Sequence, residues 1–185
     1  YFSLFVYVAF ALGVLFAMLG FAFIRPLATL IGAKGQLLEY CVDYGRIILT
    51  ALPFFLLQLL FQSFFVAAER PHLGLLVTGV SGVTNIILDA VLVILLPLEY
   101  KLAGAAVATA FSQLLGGVIP LVYFLRKNSS ILRLGKTNFD GKAIAKACTN
   151  GSSEFMSNVS MNIVGMLFNI QLLHYAGENG VAAYG

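Results

Sequence analysis

The sequence contains stretches so long and so free of charge that water cannot be their solvent. Residues 1–24 and 102–125 hold no Asp, Glu, Lys or Arg at all. Residues 41–65 carry only Asp43 and Arg46, both near the start, and residues 73–95 carry only Asp89. A fifth stretch, 148–175, carries Glu154 as its one acidic residue. Each is long enough to cross hydrocarbon as a helix, which takes ~20 residues, with length left over for tilt. The alternative spanning structure, a closed barrel, needs ~10-residue segments of alternating polarity, and no such alternation is present. Composition agrees: 60% of residues are hydrophobic and 10% charged, against about 25% charged in soluble domains. The fold class read from the sequence is all-α, a polytopic bundle of membrane helices.

Charge placement orients the bundle. Arg126, Lys127, Arg133, Lys136, Lys142 and Lys146 fall in one connection, and an excess of basic residues marks the cytoplasmic side. The Glu69–His72 turn shares that side, and the loops holding Arg25 and Lys34, and Glu99 and Lys101, face outward. This is an orienting pattern and not a nucleic-acid face. The same connection divides the chain: 1–125 form four spans of an amino-terminal lobe, 126–147 a basic cytoplasmic loop between lobes, and 148–185 the first helix of a second lobe with the start of the next. Ile131, Leu132 and Leu134 are expected in a solvated loop or a short amphipathic surface element. Residue 1 opens directly on a span without a basic leader, so the chain reads as a piece of a longer protein.

Soluble enzyme chemistry finds no support. There is no glycine-rich phosphate loop, nucleophile elbow or paired-cysteine motif. His72 and His174 lack partners at metal-ligand spacing, and Cys41 and Cys148 give no disulfide framework. Neither enzyme activity nor a cofactor is expected.

Polar residues inside the spans carry the functional signal. An ionised Asp at a helix centre costs ~2.5–3.5 kcal/mol on insertion scales, so Asp89 is expected to face a cavity or a partner. Helical spacing places Asn85, Ser81 and Thr78 on the same stripe. In the next span Thr109, Ser112, Gln113, Gly116 and Pro120 share a face. Folding the two spans antiparallel about Glu99 sets Asp89 level with Thr109 and Asn85 level with Gln113. Those groups form an oxygen-rich site for a proton or Na⁺. Gly104, Ala105 and Ala108 suit close helix packing. The second span offers Gln58 and Gln62 beside Phe54, Phe61 and Phe65, a wall suited to bulky cations if it is not simply packing, with Pro53 kinking the helix. The fifth offers Glu154, Asn158, Asn162 and Asn169 on one face, with Glu154 near the cytoplasmic end.

In order along the chain, Ala67-Ala68-Glu69-Arg70-Pro71, Asn85-Ile86-Ile87-Leu88-Asp89, Gly104-Ala105-Ala106-Val107-Ala108-Thr109, and Gly151-Ser152-Ser153-Glu154-Phe155 through Asn169 to Val181-Ala182-Ala183-Tyr184 resemble the multidrug and toxic compound extrusion family, in its bacterial MepA-like and DinF-like branch. The resemblance implies helices three to seven of a twelve-helix, two-lobe transporter. It implies export of organic cations in exchange for H⁺ or Na⁺, with Asn85, Asp89 and Thr109 at the amino-terminal cation site. A glutamate found deeper in helix seven of some relatives aligns with Met161 or Asn162 here. The expectation is a secondary antiporter of the bacterial cytoplasmic membrane. Its partners would be the bilayer, small organic cations and the remaining helices, with no nucleic acid. A lipid-linked saccharide flippase of related architecture is the alternative, although no Lys or Arg lies deep in the spans; a non-transporting assembly subunit is the other.

Overall fold

The computed structural model describes residues 1–30, 32–97, 100–126 and 130–184, and only the backbone of 173, 176, 178, 179 and 181–184. Glu99, Lys127, Asn128 and Ser129 therefore lie outside the described residues. Among the described residues five helices follow one another: α1 Phe2–Leu30, α2 Gln36–Ala67, α3 Pro71–Leu95, α4 Lys101–Leu125 and α5 Gly141–Tyr184. The chain divides into two compact units, Tyr1–Asn138 and Phe139–Gly185. The architecture is all-α, and α1 to α4 are each long and apolar enough to cross a membrane. The protein is a multi-pass membrane protein.

Helix boundaries follow backbone chemistry more than the proline signal. The sequence places Arg25 in the loop after the first span, yet α1 runs through Arg25 and Pro26 to Leu30. Proline removes one N–H and crowds the preceding turn, which costs a helix one bond without having to end it. The stop comes at Gly32, with φ 105°, where Gly32 N–H donates to Thr29 O and Ala33 N–H to Ala28 O, both at 3.0 Å. That is the Schellman arrangement, which satisfies orphan carbonyls with a left-handed residue. Arg25 and Glu39 then pair across the α1–α2 turn, both exposed.

The α2–α3 turn repeats the device with a less suitable residue. Glu69 N–H donates to Val66 O at 3.1 Å and Arg70 N–H to Phe65 O at 2.8 Å. This places Glu69 itself at the left-handed position, with φ 58°. Pro71 then supplies a favoured first residue for α3.

In the first unit α2 packs against α1 on one flank and α4 on the other, and α4 also packs on α3. Within lipid, apolar side chains gain nothing by leaving hydrocarbon, so helices associate through close van der Waals contact at small residues. A Cβ on Gly13 would lie 2.6 Å from Pro53 Cα, and one on Gly117 would lie 2.6 Å from Phe54 O. Gly104 fits under Leu92 and Leu96 near the α3–α4 turn, with Ala106 and Ala108 buried beside it. Of the residues expected to pack closely, Gly104 and Ala108 are buried, while Ala105 is half-buried and its neighbour Ala106 takes the buried place. Pro53 does not break α2, which is continuous from Gln36 to Ala67.

One end of the first unit is closed by aromatic rings. Phe61 and Phe124 stack at 5.5 Å and 20°, and Phe2 meets Phe124 edge-on at 4.9 Å. Phe65, Leu57, Val6 and Val77 complete the cluster. Beyond α4, Ile131 and most of residues 133–139 are exposed, as the solvated-loop expectation has it, but Leu132 and Leu134 are not. Leu132 and Leu134 pack on the cluster, and Leu134 N–H donates to Phe124 O at 3.0 Å. Ser3 Oγ accepts from Gly135 N–H at 3.0 Å and donates to Arg133 O at 3.5 Å. Leucines two apart lie on one side of an extended strap, a period of two that helical spacing does not reveal.

The second unit is α5, which begins at Gly141, earlier than the expected residue 148, capped by Asp140 Oδ1 accepting from Lys142 and Ala143 N–H at 3.0 and 3.2 Å. Gly177 breaks the helix, with φ 65° and ψ −167°. With Lys142, Lys146 and Glu154 in its first half, α5 is less apolar than the four spans.

Two outcomes are expected in thermal unfolding. Glu69→Gly should stabilise by about 1 kcal/mol, because glycine adopts the left-handed region without the Cβ penalty. Gly13→Ala should destabilise by about 1–3 kcal/mol, since the added methyl meets backbone that has to move.

Candidate functional site

The expected polar residues of α2, α3 and α4 meet in one seam. Across the α3–α4 pairing, Asn85 Nδ2 donates to Thr109 Oγ1 at 3.4 Å. Near the turn, Leu92 and Leu96 lie against Gly104. Ser112 Oγ donates back to Thr109 O at 2.8 Å, leaving the Thr109 hydroxyl turned to Asn85.

Gln62 enters from α2, its amide donating to Thr78 Oγ1 at 3.1 Å; Thr78 in turn donates to Gly74 O at 3.0 Å. Between these two contacts lies a cleft of about 250 Å³. Phe55 and Gln58 line it from α2, Thr78, Ser81, Gly82 and Asn85 from α3, and Thr109, Ser112 and Gln113 from α4. Gln58 gains its place because Gly116 has no side chain: a Cβ there would fall 2.4 Å from the Gln58 carboxamide. Phe61 and Phe65, considered for the cavity wall, instead belong to the aromatic core. The phenyl ring in the cleft is that of Phe55, which the sequence reading did not single out.

Among the described residues, Ser81 Oγ, Gln113 Oε1 and Asp89 Oδ1 are buried in this region without a hydrogen-bond partner. A buried unsatisfied polar group costs ~1–3 kcal/mol, more if charged, and proteins seldom retain one without use. Ser81 and Gln113 line the cleft itself. Asp89 stands one turn beyond Asn85 on α3, half-buried. Together these acceptors could take a proton, Na⁺ or ordered water.

The residues of α5 form a separate ladder within the second unit. Asn158 Nδ2 donates to Glu154 O at 2.9 Å and to its Oε1 at 3.2 Å. Asn162 Nδ2 donates to Asn158 O at 2.8 Å. Glu154, Asn158, Asn162 and Asn169 are all exposed. Each bonded asparagine uses the carbonyl four residues back, the local bond such side chains make in a helix.

The two neighbouring glycines of α4 give a paired test. Gly116→Ala should swing the flexible end of Gln58 aside and alter the cleft, with little change in melting temperature. Gly117→Ala meets Phe54 backbone and should cost about 1–3 kcal/mol. Thermal melting of both variants checks the contrast.

Comparison with known proteins converges on one family. The MatE family model matches residues 1–91. The chain is similar to the multidrug export protein MepA of Staphylococcus haemolyticus (strain JCSC1435), 31% identical over 181 residues, covering 97% of this chain and 39% of that protein. MepA of Staphylococcus aureus (strain bovine RF122 / ET3-1) is 28% identical over 184 residues, again covering 97% of this chain and 40% of the relative. The chain thus spans about 40% of the length of these relatives. Its fold matches a multidrug resistance MATE family transporter of the MOP superfamily, solved in an inward-facing conformation, with a TM-score of 0.85 at 21% identity, over 97% of this chain and 41% of that one. Ordered motifs, helix arrangement and relatives agree, and the chain belongs to the multidrug and toxic compound extrusion (MATE) family.

Proposed function

We propose that this chain supplies the ion-coupling helices of a secondary antiporter that exports organic cations in exchange for H⁺ or Na⁺. The observation that carries the reading is the unpartnered, buried Asp89 Oδ1 one turn from the Asn85–Thr109 contact. A carboxylate held there gains most from binding a cation, because its own surroundings leave an acceptor unused. Loading neutralises it and lowers the cost of keeping it among apolar helices. A coupling ion shifts the transporter between its two exposures only by binding one of them more tightly. Asp89 therefore needs a different set of neighbours in each state. The register contact between α3 and α4 is the element that would change.

Gln58, Gln62 and Gln113 fit a cavity wall, where carboxamides offer both donors and acceptors to varied amphipathic substrates. Asn158, Asn162, Asn169 and Glu154 are assigned to the cavity face of helix seven, with 148–175 as a fifth span and 126–147 as the loop between lobes. The names of the MepA relatives support export of drugs. The basic connection supports a bacterial cytoplasmic membrane setting with that loop inside. Lipid-linked saccharide flipping lacks an observation in its favour, since none of the cleft residues is basic.

The test uses the full-length parent in liposomes loaded with ethidium, under imposed H⁺ or Na⁺ gradients. Asp89→Asn should abolish gradient-driven efflux while insertion and melting temperature stay unchanged. Gradient-driven efflux at the wild-type rate by that variant would remove Asp89 from the mechanism.

A further inference from the structure

A second cleft opens at the other end of α2 from the Glu69 turn. Gln36, Tyr40, Asp43 and Tyr44 recur at helical spacing along the first turns of α2, so one face carries all four. Tyr100, Leu102 and Ala103 close the cleft from the start of α4. Its volume of about 330 Å³ falls within the ~300–1,000 Å³ typical of small-molecule sites. Gln36 Nε2 donates to Tyr40 Oη at 3.0 Å and steadies that ring. Tyr44 and Tyr100 are 36% and 58% exposed, so both keep surface available to a ligand. Asp43 is exposed and, among the described residues, makes no ion pair; Arg46 and Lys101 lie nearby in sequence, yet neither lines the cleft.

We infer that this cleft binds a lipophilic organic cation, of the quaternary ammonium or phosphonium kind. Three phenol rings and one carboxylate lining the same cleft offer both halves of that recognition. An aromatic face attracts a cation through its quadrupole, and Asp43 supplies the opposite charge. Inorganic divalent cations fit poorly, because they require six or more oxygen ligands or several carboxylates. An anion would meet Asp43, and a neutral ligand would leave the carboxylate unused. The site is separate from the cleft beside Asp89: it shares none of its lining residues. Its place in a transport cycle, as a holding site at the outer mouth, rests on the exporter reading above; its chemistry rests on the cleft alone.

The test measures tetraphenylphosphonium binding to the full-length transporter by equilibrium dialysis, in a Gln58→Ala, Gln113→Ala background that removes carboxamides lining the deeper cleft. Adding Asp43→Asn and Tyr44→Ala should weaken the remaining binding about tenfold, the scale of one lost charge contact and one lost ring. Tyr44→Phe keeps the ring face and should retain binding, and raised salt should weaken binding at Asp43. Equal affinity in the Asp43→Asn, Tyr44→Ala variant overturns the inference, as does loss of binding in Tyr44→Phe. Efflux by Asp89→Asn alone judges the exporter reading, so the two can fail separately.

Discussion

Two glycines hold α2 in place, and the polar seam depends on them. Gly13 of α1 admits the backbone of Pro53, and Gly117 of α4 admits the backbone of Phe54. These consecutive residues fix the middle of α2 between its neighbours from both flanks. Hydrocarbon offers no hydrophobic drive to press helices together, so contact at this range is what association rests on. One turn further, the same approach lays Gln58 across Gly116. The carboxamide is thereby carried to the polar face of α4 and made to share a cleft with Ser81 and Gln113.

That seam is economical in hydrogen bonds in an unusual way. Gln62 with Thr78, and Asn85 with Thr109, pair off and tie three helices together. Such bonds between membrane helices average only about 0.6 kcal/mol, so they specify register more than they add stability. Between and beyond them, Ser81, Gln113 and Asp89 keep an oxygen each without a partner. A bundle selected only for stability would have filled those positions with aliphatic residues. Acceptors retained beside a cleft are the feature on which the proposed ion-coupling role rests. The Tyr40–Tyr44–Tyr100 cleft presents a different chemistry, rings and charge instead of carboxamides and hydroxyls.

Helix number and the polar stripes were readable in the sequence because lipid leaves a charge-free stretch few alternatives. Asp89 stood out since a lone carboxylate among aliphatic residues has no cheap place in a membrane. Side-chain pairing across the seam was less readable: equal spacing set Asp89 level with Thr109, whereas the hydrogen bond to Thr109 comes from Asn85. The end of α1 was also hidden, because Pro26 resembles a stop while the stopping is done by backbone at Gly32; the turn at Glu69 was legible. Phe61 and Phe65 could not be sorted from Phe55 by spacing, since whether a ring lines a cleft or a core depends on which neighbour it finds. The Tyr40, Asp43 and Tyr44 spacing was present in the sequence, but its partner Tyr100 comes from a distant turn.

The strap after α4 has a consequence for how the chain meets a protease. Its arginine and lysine side chains are exposed and would ordinarily invite tryptic cleavage. Cleavage, however, requires several residues of backbone to lie extended in the enzyme's groove, and here the carbonyl of Arg133 and the amides of Leu134 and Gly135 are already taken by Ser3 and Phe124. Digestion at Arg133 thus reports the lifting of Leu132 and Leu134 off the aromatic cluster, and the nick rate becomes a clock for that opening.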